Sequence, residues 1–111
     1  PGSESKLLKG LKLGCSGIIT ATCNVTSELA RKVYDDFQKK NEQTQNQKLC
    51  DVRAEFEKYN LISGLHTYYS KKNEYYRNVL PPLSILNSQD ENVLINNLEK
   101  LNFSINSLKA A

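Results

Sequence analysis

The chain has 111 residues, which is enough for at most one domain with a modest hydrophobic core. Its 39% hydrophobic and 24% charged residues are typical of ordinary globular proteins and exclude an intrinsically disordered or membrane-embedded chain. No apolar run approaches the roughly 20 residues that a membrane-spanning helix needs. The first residues, PGSESK, lack the apolar core and cleavage site of a secretory signal. We therefore predict a cytoplasmic protein without a membrane partner.

The net charge of +3 comes from lysines that are interleaved with acidic residues over much of the chain. A nucleic-acid interface needs a concentrated basic surface with arginine or aromatic partners, and only three arginines are present. We interpret the charged positions as solvated helix faces and expect no nucleic-acid partner. The three cysteines lack the spacing of a zinc site or a disulfide framework, so we expect buried free thiols and neither a metal nor a cofactor.

The first predicted helix covers residues 4–13, with Ser3 as its N-cap and Gly14 as its end. Ile18, Ile19 and Thr20 then predict a short strand that is buried on both faces, as in a parallel sheet covered by helices. Such a strand cannot exist alone, so its neighbours must lie in another chain or in a part of the protein outside this one. The chain contains no Met, from which we expect a processed or partial product.

Four more helices are predicted after the strand. Thr26 or Ser27 caps a helix that runs to about residue 40, and a third helix has apolar residues at helical spacing from Leu49 to Tyr59. A fourth helix begins near residues 61–63, the Pro81-Pro82 pair forces an extended segment, and Ser88 caps a last helix over residues 89–101. The order of one helix, one strand and four helices predicts the end of an α/β barrel followed by a helical extension.

The segment from Gly2 to Asn24 reads G-S-E-x-x-L-L-x-G-L-x-L-G-C-S-G-I-I-T-A-T-C-N. It resembles the dihydrodipicolinate synthase and N-acetylneuraminate lyase family, in which a helix after the seventh strand precedes a G-x-x-G-V-I-S-x-x-x-N-V eighth strand. The Leu80-Pro81-Pro82-Leu83 segment is also similar to the family's C-terminal region. The resemblance implies an α/β fold, the C-terminal part of a (β/α)8 barrel, in a chain that is itself mostly helical. Residues 1–40 would hold helix 7, strand 8 and helix 8, and residues 41–111 the helical extension.

The resemblance implies a lyase or aldolase that forms a Schiff base between a lysine and pyruvate, as in the lysine-biosynthesis branch of the family. The lysine and the proton-shuttling tyrosine would lie upstream of Pro1, so no catalytic residue is expected in this chain, which alone should be inert. Gly2 matches the glycine beside the bound 2-oxo acid, and Ile19 matches the residue that walls the pyruvate pocket. A homo-oligomer, a tetramer in the family, is implied, together with a small aldehyde or sugar-acid substrate.

Glu4, Ser5 and Ala21 match positions that contact the sugar portion in the sialic-acid-cleaving branch of the family. Glu4 is an acid as there, whereas Ser5 lacks the second carboxylate and Ala21 lacks the hydroxyl of that branch. This departure favours a dihydrodipicolinate-synthase-like enzyme over an N-acetylneuraminate lyase or another 2-oxo acid aldolase. These three residues are therefore candidate specificity positions.

Simpler interpretations of the same residues remain open. Gly2 could only form a turn and Ile19 could only fill a core. His66, the one histidine, is more typical of a packing or surface residue than of an acid or base, and the tyrosines near it are more typical of a covered surface than of a stacking platform. A hypothesis of another class is a small helical interaction module that binds a partner through an exposed apolar face.

Overall fold

The computed structural model describes residues 1–104, which are mostly helical and include no assigned strand. A short 3-10 turn, Glu4–Lys6, leads into α1, and a second one, Glu74–Arg77, lies between the fourth and fifth helices. The helices are α1 Leu7–Lys12, α2 Cys23–Gln38, α3 Asn46–Glu57, α4 Leu61–Tyr69 and α5 Ser88–Lys100. No helix within these described residues is both long and apolar enough to cross a bilayer. The chain divides into two compact units, Pro1–Arg53 and Ala54–Ala111.

The first unit buries the apolar faces of its helices in one cluster. Leu7 and Leu11 lie one turn apart on α1 and therefore project from the same face of that helix. They share the cluster with Ala30 and Val33 of α2 and with Leu49 of α3. The helical spacing of Leu7 with Leu11, and of Ala30 with Val33, determines which side of α1 and of α2 faces inward.

The predicted first helix, residues 4–13, forms in two parts: the 3-10 turn Glu4–Lys6, and α1, which begins only at Leu7 and ends at Lys12. The Ser3 side chain accepts a hydrogen bond from the Ser5 amide, at 3.3 Å, and so caps the 3-10 turn that precedes α1. Gly14 has a φ of +92°, a conformation that residues with a side chain rarely adopt. Its amide donates to the Leu11 carbonyl at 3.1 Å, which closes the end of the helix.

The predicted strand is not formed within the described residues. Residues 18–20 carry no strand assignment, and Ile19 is 93% exposed rather than buried. The Ile19 amide donates to the Pro1 carbonyl at 3.2 Å, which is a contact of the kind that joins neighbouring strands. A buried parallel strand requires partner strands on its sides and helices on its faces, and without them Ile19 stays exposed while Ile18 and Thr20 are half-buried.

Helix α2 begins earlier than predicted. It starts at Cys23, whose amide donates to the Thr20 hydroxyl at 3.0 Å. Thr26 or Ser27 was expected to cap this helix, but both lie within α2, and Thr26 is fully buried. The Thr26 hydroxyl donates to the Glu4 carboxylate at 2.7 Å instead, so a contact distant in sequence replaces the expected local one. The prediction that the three cysteines are buried is also wrong, because Cys15 is exposed and Cys23 and Cys50 are half-buried.

The second unit is held together by aromatic and leucine side chains. The Phe56 and Tyr68 rings meet edge to face with their centroids 5.8 Å apart, and the Tyr68 and Phe103 centroids are 6.1 Å apart. Leu94 and Leu98 of α5 are fully or almost fully buried one turn apart. The apolar residues of α4 and α5 thus lie at helical spacing on a buried face of each helix.

Asparagines cap the two helices of the second unit. The Asn60 side chain accepts from the Ser63 amide at 3.1 Å, and the Asn87 side chain accepts from the Asp90 amide at 2.8 Å. Ser88 was predicted as the cap of the last helix, but it is the first residue of α5 and Asn87 is the cap. An asparagine and a serine side by side are both good caps, so the sequence left the choice open by one residue.

Candidate functional site

Gly2 and Ile19, the two residues expected at the substrate pocket, lie next to each other. The Pro1 carbonyl accepts the Ile19 amide at 3.2 Å. A Cβ atom on Gly2 would lie 3.9 Å from the Ile19 carbonyl oxygen. The Ile19 side chain itself is exposed. The arrangement thus presents an accessible glycine backbone and an exposed aliphatic side chain side by side.

Glu4 lies at the centre of a buried polar network in the same unit. Its Oε1 accepts from Arg53 Nη1 at 3.0 Å, and its Oε2 accepts from the hydroxyls of Thr26, at 2.7 Å, and Thr22. Arg53 Nη1 also donates to the Thr22 hydroxyl at 3.0 Å, and the Thr20 and Thr22 hydroxyls are 3.2 Å apart. Glu4 is 0% exposed and Arg53 is 8% exposed, so solvent is largely excluded from the pair.

The Glu4 carboxylate is ionised at neutral pH despite its burial. Burial alone raises the pKa of a carboxylic acid, because it disfavours the charged form. Hydrogen bonds from Thr22, Thr26 and Thr20 favour the carboxylate and outweigh burial, so the pKa of Glu4 lies below its ordinary value. At neutral pH the network therefore holds a negative charge beside the Arg53 guanidinium.

The remaining expected specificity residues differ from Glu4 in their accessibility. Ser5 and Ala21 are both exposed, and the Ser5 hydroxyl lies 2.9 Å from the Ser3 hydroxyl. Among the three expected positions the structure therefore leaves Ser5 and Ala21 open to a ligand. It places the Glu4 carboxylate inside the fold, where protein groups already surround it.

The sequence analysis did not single out Arg53, Thr22 or Thr26. One signal for Arg53 was available: it lies four residues after Leu49 and three before Phe56, both of which belong to the apolar face of α3. A cation at such a position needs a buried acid as its partner. Nothing in the local sequence indicated which acid that is, since Glu4 lies 49 residues away.

Residues 1–104 offer few side chains that could act as a nucleophile or bind a metal ion. None of the lysines in this part of the chain is buried, whereas a Schiff-base lysine is activated by burial in an apolar site. No group of three or more His, Cys, Asp or Glu residues that could hold a metal ion occurs there either. Burial raises the pKa of the Cys50 thiol, with smaller contributions from Asp51 and Glu4, which disfavours its reactive thiolate.

His66 and the nearby tyrosines form packing contacts in the second unit. His66 Nδ1 lies 2.9 Å from the Tyr76 carbonyl oxygen, which the imidazole N–H can bond. The Tyr69 and Tyr76 rings are stacked with their centroids 5.0 Å apart. These contacts hold the 3-10 turn Glu74–Arg77 against α4 and agree with the packing interpretation of both residue types.

A solved structure matches the fold over most of the chain. The crystal structure of dihydrodipicolinate synthase from Agrobacterium tumefaciens superimposes with a TM-score of 0.72 and 19% sequence identity. The fold is that of the C-terminal part of a TIM barrel protein. The match covers 90% of this chain and 33% of the synthase, so the chain spans about a third of the length of that structure. No protein-family model and no curated protein sequence matches the chain.

The structural match confirms the predicted fold class, including the expectation that this chain is mostly helical. At 19% identity the match supports a fold like that of dihydrodipicolinate synthase and not a particular reaction. The adjacency of Gly2 and Ile19 is independent of it, since it follows from the contacts within the first unit.

Proposed function

We propose that this chain is the C-terminal part of a dihydrodipicolinate-synthase-like lyase or aldolase that acts on pyruvate. The observation that carries the proposal is the adjacency of Gly2 and Ile19 within a fold that matches a dihydrodipicolinate synthase. Both residues came from the sequence resemblance as pocket residues. Their positions are 17 residues apart in the sequence, and the fold brings their backbones into contact.

In this proposal the intact enzyme supplies a lysine from another part of the barrel. The lysine amine condenses with the pyruvate ketone and releases water, and the resulting enamine attacks the carbonyl carbon of an aldehyde. The reverse sequence would cleave a sugar acid, as in the N-acetylneuraminate lyase branch. The chain described here contributes the wall of the pocket: Gly2 leaves space for the 2-oxo acid beside its backbone, and Ile19 offers an apolar surface to the pyruvate methyl group.

Residues 1–40 would then be the last βα units of the barrel and residues 41–111 its helical extension. A cytoplasmic location and assembly into a homo-oligomer, a tetramer in the family, belong to the same proposal. Ser5 and Ala21 are the accessible positions from which the second substrate could be selected.

The test is reductive trapping of the product of the complete open reading frame. We expect incubation with pyruvate and borohydride to add one reduced pyruvate to the intact mass, and no site-specific adduct on the 111-residue chain alone. Absence of an adduct on the complete product would contradict the proposal. A reduced pyruvate adduct on one particular lysine of this chain would contradict the assignment of the Schiff-base lysine to another part of the enzyme.

The pocket assignment is tested with matched isoleucine variants of the complete product. Ile19→Asp places a charge against the pyruvate methyl group, so we expect the KM for pyruvate to rise by about ten-fold or more. Ile62→Asp is the control, because Ile62 is also exposed but lies in the second unit. Equal effects of the two substitutions would contradict a role of Ile19 in the pocket.

The alternative is the interaction module, which would bind a partner through exposed apolar side chains. Leu13, Ile19 and Leu80 are each at least 75% exposed. Trapping separates the two functions: a complete product without an adduct, together with stable binding of a partner by the 111-residue chain, would favour the module.

A further inference from the structure

The family resemblance assigns Glu4 to the sugar portion of a substrate, but the structure gives its carboxylate another set of partners. Glu4 is 0% exposed, and both of its oxygens accept hydrogen bonds from protein groups. Arg53 Nη1 donates to Oε1 at 3.0 Å, and the Thr22 and Thr26 hydroxyls donate to Oε2. A substrate hydroxyl could reach this fully buried carboxylate only if it displaced one of these protein groups.

We propose that Glu4 is a positioning residue and that it does not bind substrate. It holds residues 1–4, the Gly2 segment, against residues 18–22, the Ile19 segment. The role of these two segments as walls of the pyruvate pocket rests on the function proposed above. The positioning itself rests on contacts within the first unit.

The network joins the two segments close to Gly2 and Ile19. Glu4 follows Gly2 by two residues, and Thr22 follows Ile19 by three, so the bond between Glu4 and Thr22 connects the segments next to the backbone contact of Ile19 with Pro1. No strand ladder is assigned within residues 1–104 to hold the segments in register. Side-chain hydrogen bonds therefore set the relative position of the two segments, which in a sheet is set by backbone hydrogen bonds.

Two further contacts fix the orientation of the Ile19 segment. The Thr20 hydroxyl accepts from the Cys23 amide at 3.0 Å and lies 3.2 Å from the Thr22 hydroxyl. The segment is thus tied both to the start of α2 and, through Thr22, to Glu4. Arg53 completes the arrangement from α3, since its Nη1 donates to both Glu4 and Thr22.

A merely stabilising residue at this place need not be charged. Replacing a buried ion pair by apolar side chains of similar volume is often neutral or stabilising, whereas hydrogen-bonded charges fix geometry. Directed bonds from three side chains to one carboxylate determine where the backbone of residue 4 lies relative to residue 22. An apolar contact would leave that relation less determined.

The experiment measures amide hydrogen exchange by NMR in the 111-residue chain. The Ile19 amide reports the contact between the segments, and the Val33 amide, in the middle of α2, reports overall stability. In Glu4→Gln we expect exchange at Ile19 to accelerate about ten-fold more than exchange at Val33, with a changed Ile19 amide shift. Glu42→Gln is the matched control, because Glu42 is exposed.

A milder pair of substitutions covers the case in which Glu4→Gln does not fold. Thr26→Val keeps the shape of the side chain and removes its bond to Glu4, so it should accelerate Ile19 exchange selectively. Thr26→Ser keeps the hydroxyl and should restore nearly the original rate.

Equal acceleration at Ile19 and Val33 in Glu4→Gln and Thr26→Val would overturn the proposal, since it would mean general destabilisation. Unchanged Ile19 exchange in Glu4→Gln would also overturn it, because the carboxylate would then not hold the two segments together. The exchange test uses no pyruvate. A missing pyruvate adduct would therefore refute the proposed enzyme without changing the exchange result.

Discussion

Glu4 and Arg53 form an ion pair with 3.0 Å between Oε1 and Nη1, although they lie 49 residues apart in the sequence. Arg53→Met removes the partner of a buried carboxylate, so we expect the free energy of unfolding to fall by about 3–5 kcal/mol in urea denaturation. Arg31→Met is the control, since the Arg31 pair with Asp35 is exposed and should contribute less than about 1 kcal/mol. Similar losses in both variants would contradict the energetic importance of burial here.

The pH dependence of stability follows from the lowered pKa of Glu4. The unfolded chain takes up a proton at the ordinary value of 4.5, while the folded chain does so at a lower pH. The stability that the carboxylate contributes is therefore complete above pH 4.5 and is lost as pH falls towards the folded pKa. Urea denaturation between neutral pH and pH 3, at about one-unit steps, measures this loss. A wild-type curve with the same acid slope as Glu4→Gln would contradict it.

Two glycines are expected to respond oppositely to alanine. Gly14→Ala places a side chain at a φ of +92°, so we expect a loss of about 1 kcal/mol. Gly64 lies inside α4, where an added Cβ would meet Phe56 at the ordinary contact distance of 3.5 Å. Alanine favours the helix, so Gly64→Ala should gain about 0.5–1 kcal/mol. Thermal denaturation of both variants checks the signs, and a gain at residue 14 would contradict the strained turn.

The cap of α5 can be located by substitution. Asn87→Ala removes the acceptor of the Asp90 amide, at 2.8 Å, and should cost about 1 kcal/mol. Ser88→Ala leaves that bond intact and should change stability by less than about 0.5 kcal/mol. The comparison uses thermal denaturation of the two variants. A larger loss from Ser88→Ala would return the cap to the position predicted from the sequence.

Tyr68 is expected to stay protonated at pH values that ionise ordinary tyrosines. Burial, with a smaller contribution from Glu99, raises its pKa from 10.0 to about 12. Because the folded pKa is the higher one, the stability contributed by the neutral phenol is complete below pH 10 and is lost as pH rises towards 12. Phenolate absorbance of wild type and Tyr68→Phe isolates this titration. A difference spectrum that titrates near pH 10 would contradict the burial of the hydroxyl.

The sequence predicted the helices well because their formation depends on local spacing. Leu7 and Leu11 on α1, and Leu94 and Leu98 on α5, form the buried faces that a period of 3.6 residues indicates. Helix ends were less certain, since Asn87 and Ser88 are equally suitable caps in the sequence. The strand at residues 18–20 failed for another reason: strands exist only in pairs, and no sequence pattern within the strand supplies its partner.

The candidate site was predictable only in part. Gly2 and Ile19 were identified from a motif, and they lie next to each other in the fold; their role at a pocket stays a prediction. The burial of Glu4 could not be predicted, because it depends on Arg53, which approaches from a helix 49 residues later. An acid near a glycine turn looks the same in the sequence whether it faces substrate or a buried cation.

The four-residue network of Glu4, Arg53, Thr22 and Thr26 also restricts how this protein can change during evolution. Loss of Arg53 alone would leave the buried Glu4 carboxylate without its cation. Loss of Glu4 alone would leave the buried guanidinium without this anion. Tolerated changes must therefore come in compensated combinations, such as an apolar pair in place of the two charges. In an alignment of relatives, we expect positions 4 and 53 to vary together, with the hydroxyls at 22 and 26 retained only where the acid is.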